Sequence, residues 1–277
     1  MSTLITGATG GFARSFVPWL RSRSDEPVYL SARAASDAAG YIACDLTRVA
    51  EVASLVRATR PSKIVHLAAS YADDLDESFA VNAASARAIF DALLAEGCAA
   101  RVLLMGSAAE YGVVLPQENP IGEDRALRPV STYGVTKAIQ SQLAHYYAHR
   151  HQVDVVVARL FNLVAPGLST RLFVGRVEAE IRRLKDGEID TIELGNLEHQ
   201  RDFLEVERAM ELVELVARRG VAGEIYNVGS GCPRQVGELL DEMLQAEGLD
   251  RSAVRTGGAG GRAGYDVPII FADMNKT

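Results

Sequence analysis

The chain has 277 residues, 48% of them hydrophobic, enough for a large core in one or two domains. Its net charge of −7, with no basic cluster, argues against a nucleic-acid partner. The longest apolar runs, such as 153–158, are far too short to cross a bilayer, and Cys44, Cys98 and Cys232 are scattered without a C-x-x-C pair, so no membrane span, zinc site or disulfide framework is expected. Met1-Ser2 leads straight into an apolar run with no leader pattern, and a soluble cytoplasmic protein is expected.

Residues 3–6 read as a first strand, and Gly7-Ala8-Thr9-Gly10-Gly11-Phe12-Ala13 then opens a helix running to about Arg21. Glycines between a strand and a helix let the backbone approach a pyrophosphate, whose charge suits the helix N-terminus. Gly7, Thr9, Gly10, Gly11 and Phe12 are therefore candidate cofactor contacts, with Ala13 in place of a third glycine. Val28-Tyr29-Leu30 reads as the second strand. An NAD site carries Asp or Glu at this strand's end for the ribose 2′-hydroxyl. Here the tip is Ser31-Ala32-Arg33, and the missing acid together with Arg33 favours NADP(H) over NAD(H). Arg14 is a second cation for the 2′-phosphate, although either arginine alone also reads as a solvated surface charge.

A third short strand precedes Cys44-Asp45-Leu46. Asp45 caps a helix over 48–58 or faces the adenine, readings that can coexist, and Leu46 is a neighbouring cofactor contact. The run 64–69 is a buried strand ending in Leu67, Ala68 and Ala69, small enough at its tip for a cofactor to lie across it. His66 inside this run reads as a satisfied core histidine. An Ala-rich helix over 77–95 carries Asn82, read as a group that bonds backbone near the site. The strand 101–107 ends in Ser107, on the edge where ligands lie in open parallel sheets, so Ser107 and the following Ala108 are candidate substrate contacts. A polar loop of functional length then reaches Pro129.

Ser131-Thr132-Tyr133-Gly134-Val135-Thr136-Lys137 opens a helix over 135–147. Tyr133 and Lys137 are four apart and share one face. A nearby ammonium favours the phenolate and lowers a phenol's pKa from its usual value of about 10, which suits proton transfer to a carbonyl/alcohol couple. A lone Y-x-x-x-K reads better as a core tyrosine beside a solvated lysine, and only the rest of the chain overturns that. The run 153–160 suits a parallel strand covered on both faces, with Leu160 near its end as a further cofactor contact. About six strand–helix alternations imply a doubly wound α/β sheet. Beyond it, helices are expected over 173–185, 205–218 and 235–247, strands near 189–194 and 225–228, and a Gly-rich mobile stretch over 257–264. The expected organisation is a dinucleotide-binding domain over 1–164, rejoined by 203–230, and a smaller substrate lobe from 165–202 and 231–277.

The Gly7/Gly10 turn, His66-Leu67-Ala68-Ala69, Asn82, Gly106-Ser107, Tyr133/Lys137, Arg159-Leu160-Phe161-Asn162, Arg201-Asp202-Phe203 and Tyr226-Asn227-Val228 together resemble the extended short-chain dehydrogenase/reductase family, the NAD-dependent epimerase/dehydratase branch that acts on nucleotide-activated sugars. Within it, Glu110-Tyr111-Gly112, Gly195-Asn196-Leu197-Glu198, Arg201-Asp202-Phe203 and Asp266-Val267-Pro268 look most like GDP-4-keto-6-deoxymannose reductases. The resemblance implies a Rossmann-type fold and a homodimer paired through the helices over 77–95 and 135–147. It implies that Tyr133 is the acid/base, that Lys137 lowers its pKa and holds the nicotinamide ribose, and that Ser107 bonds the reacting oxygen. Asn162 and Arg201 would contact a nucleotide-diphosphate sugar, GDP-linked in preference to dTDP-linked, with Arg262 a further diphosphate candidate. Dehydratases of the family carry an acid at the position of Ala109, and Glu110 on an extended segment would face away, so the resemblance favours reduction of a 4-keto-6-deoxyhexose. A nucleotide-sugar 4-epimerase and a non-catalytic NADP-binding regulator are the alternatives. The chain ends at Thr277, where relatives carry a further C-terminal segment.

Overall fold

The computed structural model describes residues 2–34, 40–257 and 267–277. In chain order it comprises β1 (Thr3–Thr6), α1 (Gly11–Arg21), β2 (Val28–Ala32), β3 (Tyr41–Ala43), α2 (Val49–Thr59), β4 (Lys63–His66), α3 (Leu75–Phe79), α4 (Ser85–Ala95), β5 (Arg101–Ser107), α5 (Thr132–His151) and β6 (Val155–Leu160). There follow β7 (Asn162–Val164), α6 (Phe173–Lys185), β8 (Ile192–Leu194), β9 (Gln200–Glu205), α7 (Val206–Arg219), β10 (Ile225–Val228), β11 (Pro233–Gln235), α8 (Val236–Ala246), β12 (Val254–Thr256) and β13 (Ile269–Ile270).

Seven strands form one parallel sheet in the order β10-β6-β5-β4-β1-β2-β3. The chain winds outward from β1 in both directions, so the strand order reverses between β1 and β4, where an open sheet leaves a crevice for a ligand. Both faces of the sheet are covered. Phe16 and Leu20 of α1 pack with Leu212 and Val213 of α7 on one side. Val52 of α2, Phe90 of α4 and Tyr147 of α5 pack on the other. This double cover explains why β1 and β6 are apolar without alternation. The Rossmann-type doubly wound fold expected from the sequence is the fold observed.

The smaller part of the molecule pairs β9 with β7, β11 and β13, and β8 with β12. Its own core joins Val177 and Ile181 of α6 to Leu240 and Leu244 of α8. The sequence misses β7 and β9, three and six residues long, because each is hidden beside a longer element: β7 follows β6 after one residue and β9 runs directly into α7. The segment over 77–95 is not one uniform helix. A π turn, Ala80–Ala84, separates α3 from α4 and contains Asn82. The Gly-rich stretch falls, from residue 258 on, outside the described residues.

Candidate active site

Because the sheet is parallel, the carboxyl ends of β1, β4, β5 and β6 lie along one edge. Between β1 and α1 the chain turns at Gly7, whose φ is +71°; a Cβ there would sit 2.5 Å from the Ala68 nitrogen. Only glycine allows β1 and the end of β4 to approach so closely. Gly11 is similarly crowded, its built Cβ 2.9 Å from Leu168 Cδ2. The N-terminus of α1 has Gly10 as its cap, with no side-chain cap and no acid in its first turn. Thr9 and Gly10 are exposed and Phe12 is half-buried. Free amides at a helix start, above a backbone cradle that a Cβ would fill, fit a dinucleotide pyrophosphate. Leu67 and Ala68 form the half-buried flank of this cradle and Ala69 its exposed rim.

At the end of β2, Arg33 is exposed and Ser31 is buried. The charge of Arg33 helps hold the Asp45 carboxyl below its usual range, behind the larger effect of hydrogen bonds from Thr47. Asp45 does not cap α2. Its Oδ1 accepts from the Thr47 N–H at 3.0 Å and the Thr47 hydroxyl at 2.7 Å, and the residue at the helix cap is Arg48. Asp45 instead closes its own turn, as aspartates do in loops. The Leu46 side chain is committed to the core. The Arg14 guanidinium lies against Gly167.

Ser107 ends β5, in register with Leu160 at the end of β6. Opposite it, Ser131 caps α5 by accepting from the Gly134 N–H at 3.0 Å. A Cβ on Gly134 would fall 2.5 Å from the Ala109 carbonyl oxygen, so the first turn of α5 lies directly on the segment that follows Ser107. This approach sets Tyr133, in the first turn of α5, close to Ser107 at the end of β5. Burial, first of all, raises the Tyr133 pKa well above 10, with Tyr71 adding to the rise and Ser107 opposing it. The expectation that Lys137 lowers this pKa is corrected by the structure. Lys137 Nζ turns inward and donates to the Met105 carbonyl at 2.6 Å and to Gln140 Oε1 at 2.7 Å. Burial pushes the lysine itself down to about 8. At neutral pH the site therefore holds a protonated phenol above a largely protonated ammonium.

Behind Ser107 lies a buried ion pair that the spacing of the sequence does not reveal. Glu110 does not face away on an extended segment; it ends a short 3₁₀ turn, Ala108–Glu110, and is fully buried. Glu110 Oε1 accepts from the Ser107 N–H at 2.7 Å, and Oε2 accepts from Arg159 at 2.8 Å and from the Ser141 hydroxyl at 2.7 Å. The Arg159 guanidinium also stacks on the Tyr111 ring at 4.6 Å. Asn82 is buried and bonds backbone, as expected: Oδ1 accepts from the Ser70 N–H at 2.7 Å, and Nδ2 donates to the Ser70 carbonyl at 2.9 Å and to Thr136. His66 is satisfied by Thr6 and Ser85, and burial lowers its pKa to about 3.

On the substrate side, Asn162 is exposed at the start of β7 and donates to the Asp202 carbonyl at 3.1 Å. Arg201 is half-buried on β9. The neighbouring Asp202 is buried and gathers the amides of Ser230, Gly231 and Ala272, tying β9 to the turn after β10 and to the end of the chain. Arg262 lies outside the described residues. Among the described residues no cluster of three or more His, Cys, Asp or Glu could hold a metal ion.

Residues 3–229 match the model of the NAD dependent epimerase/dehydratase family. The chain is 28% identical over 201 residues to the GDP-6-deoxy-D-mannose reductase of Pseudomonas aeruginosa, a match covering 70% of this chain and 66% of that relative. It is 32% identical over 197 residues to the dTDP-glucose 4,6-dehydratase of Streptomyces griseus, covering 69% of this chain and 58% of that one. In both cases the chain spans less than two thirds of the relative's length. Among solved structures, RMD from Pseudomonas aeruginosa complexed with NADPH superposes with a TM-score of 0.82 at 22% identity, covering 98% of this chain and 89% of that one.

Proposed function

The chain belongs to the NAD dependent epimerase/dehydratase family, as an NAD(P)-dependent enzyme of the extended short-chain dehydrogenase/reductase type, and from that premise we propose that it reduces a nucleotide-linked 4-keto-6-deoxyhexose at C4 with NADPH. One observation carries this reading: the first turn of α5, with Tyr133, packs directly on the segment after Ser107, beside a carboxylate that is not free to act as a base. Ala109 stands where the family's dehydratases carry their acid, and Glu110 is locked by Arg159. Water elimination lacks its base, whereas ketone reduction needs only a proton donor.

The bound nicotinamide supplies the hydride. Ser107 bonds the ketone oxygen, and Tyr133, kept protonated by burial, gives its proton to that oxygen as negative charge develops on it. Gly7, Thr9, Gly10, Gly11 and Phe12 hold the pyrophosphate at the start of α1, and Leu67, Ala68, Ala69, Asn82 and Leu160 line the remainder of the cofactor cleft. Lys137 fixes the ribose through an ammonium anchored to Met105 and Gln140. Ala108 and Asn162 at the edge of the sheet and Arg201 of the smaller lobe take the sugar nucleotide, GDP-linked in preference to dTDP-linked. The test is a panel of 4-keto sugar nucleotides assayed for NADPH oxidation. Oxidation with none of them removes the reading.

The preference for NADPH rests on Arg33 and on the absence of a carboxylate at the tip of β2. Asp45 near Arg33 is engaged with Thr47, which leaves the guanidinium able to pair with a 2′-phosphate. A hydrogen-bonded ion pair at an exposed site is worth a little over 1 kcal/mol, so Arg33→Ala should raise KM for NADPH roughly tenfold. KM for NADH should stay near its wild-type value, and equal losses for both cofactors would remove Arg33 from the phosphate.

We further assign a homodimer in the cytoplasm. No described helix is long and apolar enough to cross a membrane, and the three cysteines are free thiols, which suits a reducing compartment. The outer face of α5 carries an apolar groove of about 570 Å³, lined by Val135, Ala138, Ile139, Leu143 and Tyr146 together with Leu127 and Pro129. Leu94 on the neighbouring α4 and Tyr146 are among the exposed large side chains. A helix apolar on two faces needs a second cover, and a second copy of α4 and α5 supplies it. Light scattering at micromolar concentration should give twice the chain mass; a monomer contradicts the assignment.

A further inference from the structure

We propose that Gln140 is a positioning residue for the site: its amide oxygen holds the Lys137 side chain turned inward and keeps its nitrogen charged for the ribose. Gln140 lies three residues on from Lys137 along α5, a neighbouring position on the same side of the helix. Both residues are 1% exposed. Lys137 Nζ donates to Gln140 Oε1 at 2.7 Å and to the Met105 carbonyl at 2.6 Å. An ammonium carries three donors, so one remains for a ribose hydroxyl. Of the two acceptors, Met105 offers backbone of β5, set by the sheet. Gln140 offers a side chain, and it selects the lysine rotamer.

The amide satisfies the lysine and not itself. Gln140 Nε2 is buried and has no hydrogen-bond partner among the described residues. Turning the amide over would set its N–H groups against an ammonium that has no acceptor to offer. Lys137 therefore fixes which end of Gln140 faces it, and the other end is left unpaired. An apolar side chain of similar length would fill the same space without burying an unpaired donor. Packing alone does not call for glutamine at this position, whereas a buried ammonium calls for an acceptor.

The other groups around Lys137 leave its charge dependent on this contact. Burial pushes its pKa down to about 8, with Glu110 opposing the fall. Glu110, in the turn after β5, is committed to Arg159 of β6, to Ser141 and to the Ser107 amide. His66 on β4, bonded by Thr6 and Ser85, is neutral. Tyr133, one turn back on α5, is kept protonated by burial. Asp76 and Glu77 of α3 and Arg87 and Asp91 of α4 are exposed. An acceptor on Nζ favours the charged form, because an ammonium donates more strongly than an amine. Removing the acceptor lowers the lysine's affinity for its proton, and a carboxylate in its place raises it.

The ribose half of this role rests on the proposed cofactor site; the hold of Gln140 on Lys137 does not. Gln140→Met keeps the volume and removes the acceptor, and Gln140→Glu keeps an acceptor and adds charge. In protein carrying ¹³Cε-labelled lysine, the Lys137 signal is assigned by its loss in Lys137→Arg. Lys63, Lys185 and Lys276 each pair with a glutamate elsewhere and serve as internal references. The signals are followed from about pH 6 to about pH 10. Lys137 should bind its proton about tenfold more weakly in Gln140→Met and about tenfold more tightly in Gln140→Glu. NADPH affinity, read by nicotinamide fluorescence, should fall about fivefold in Gln140→Met at about pH 8, where half of the wild type is charged. At about pH 6 both proteins are charged and the two affinities should agree. Merely loosened packing would weaken binding equally at both pH values and leave the lysine titration in place.

A Lys137 titration that is unmoved in both variants, or that moves the same way in both, overturns the proposal. Should Gln140→Met fail to fold, the direction of the Gln140→Glu titration decides. If the titrations move as expected while NADPH affinity follows wild type at every pH, Lys137 is not the ribose anchor, and that half of the proposal falls while the hold of Gln140 on the lysine stands.

Discussion

Tyr133→Phe is expected to lower turnover by about a hundredfold or more, the range for loss of a positioned general acid. The substitution keeps the ring stacked on Tyr71 and leaves the α5 cap at Ser131 untouched, so the fold and NADPH binding should persist. What disappears is the phenolic proton of Tyr133 beside the end of β5. A loss confined to kcat, with KM for both substrates little changed, marks an interaction made only as charge develops on the ketone oxygen. Steady-state kinetics on the purified variant decide the matter. Turnover within a few fold of wild type would take Tyr133 out of the mechanism.

The second large effect concerns stability. Arg159 and Glu110 are 1% and 0% exposed and 2.8 Å apart. Arg159→Met fills similar volume but leaves the Glu110 carboxylate buried with only the Ser107 amide and the Ser141 hydroxyl as donors. Removing one partner of a buried pair costs about 3–5 kcal/mol, which in a chain of this size lowers Tm by roughly 6–15 °C. Arg159→Met/Glu110→Gln should recover part of that loss, since no unpaired charge remains. Calorimetry on the three proteins checks the order: wild type, then the double variant, then Arg159→Met. A single variant as stable as wild type would show the pair to be dispensable. Because Glu110 holds the Ser107 amide, the same variants should also lose turnover.

The parts of the molecule written in local patterns are legible in the sequence. The turn from β1 to α1 is marked by glycines whose spacing has one physical use, and the buried parallel strands by runs of branched apolar residues. The face shared by Tyr133 and Lys137 follows from helical spacing alone, but spacing fixes a face and not a rotamer. The lysine's carbonyl partner, Met105, lies 32 residues away on β5, which no periodicity reports. Glu110 is misread for a similar reason: a 3₁₀ turn replaces the extended segment, and the partner that draws it inward is 49 residues distant. Gln140 carries no motif. It gains a role only once Lys137 turns inward to meet it.

The most direct test of C4 ketoreduction follows the hydride itself. Wild-type protein is incubated with a GDP-linked 4-keto-6-deoxyhexose and NADPH deuterated at the transferable position of nicotinamide C4, and the product is analysed by NMR and mass spectrometry. The expected result is one deuterium at sugar C4 for each NADPH consumed. Product without deuterium, or isomerisation of a UDP-hexose with no cofactor added and no NADPH oxidised by any keto sugar nucleotide, would contradict it.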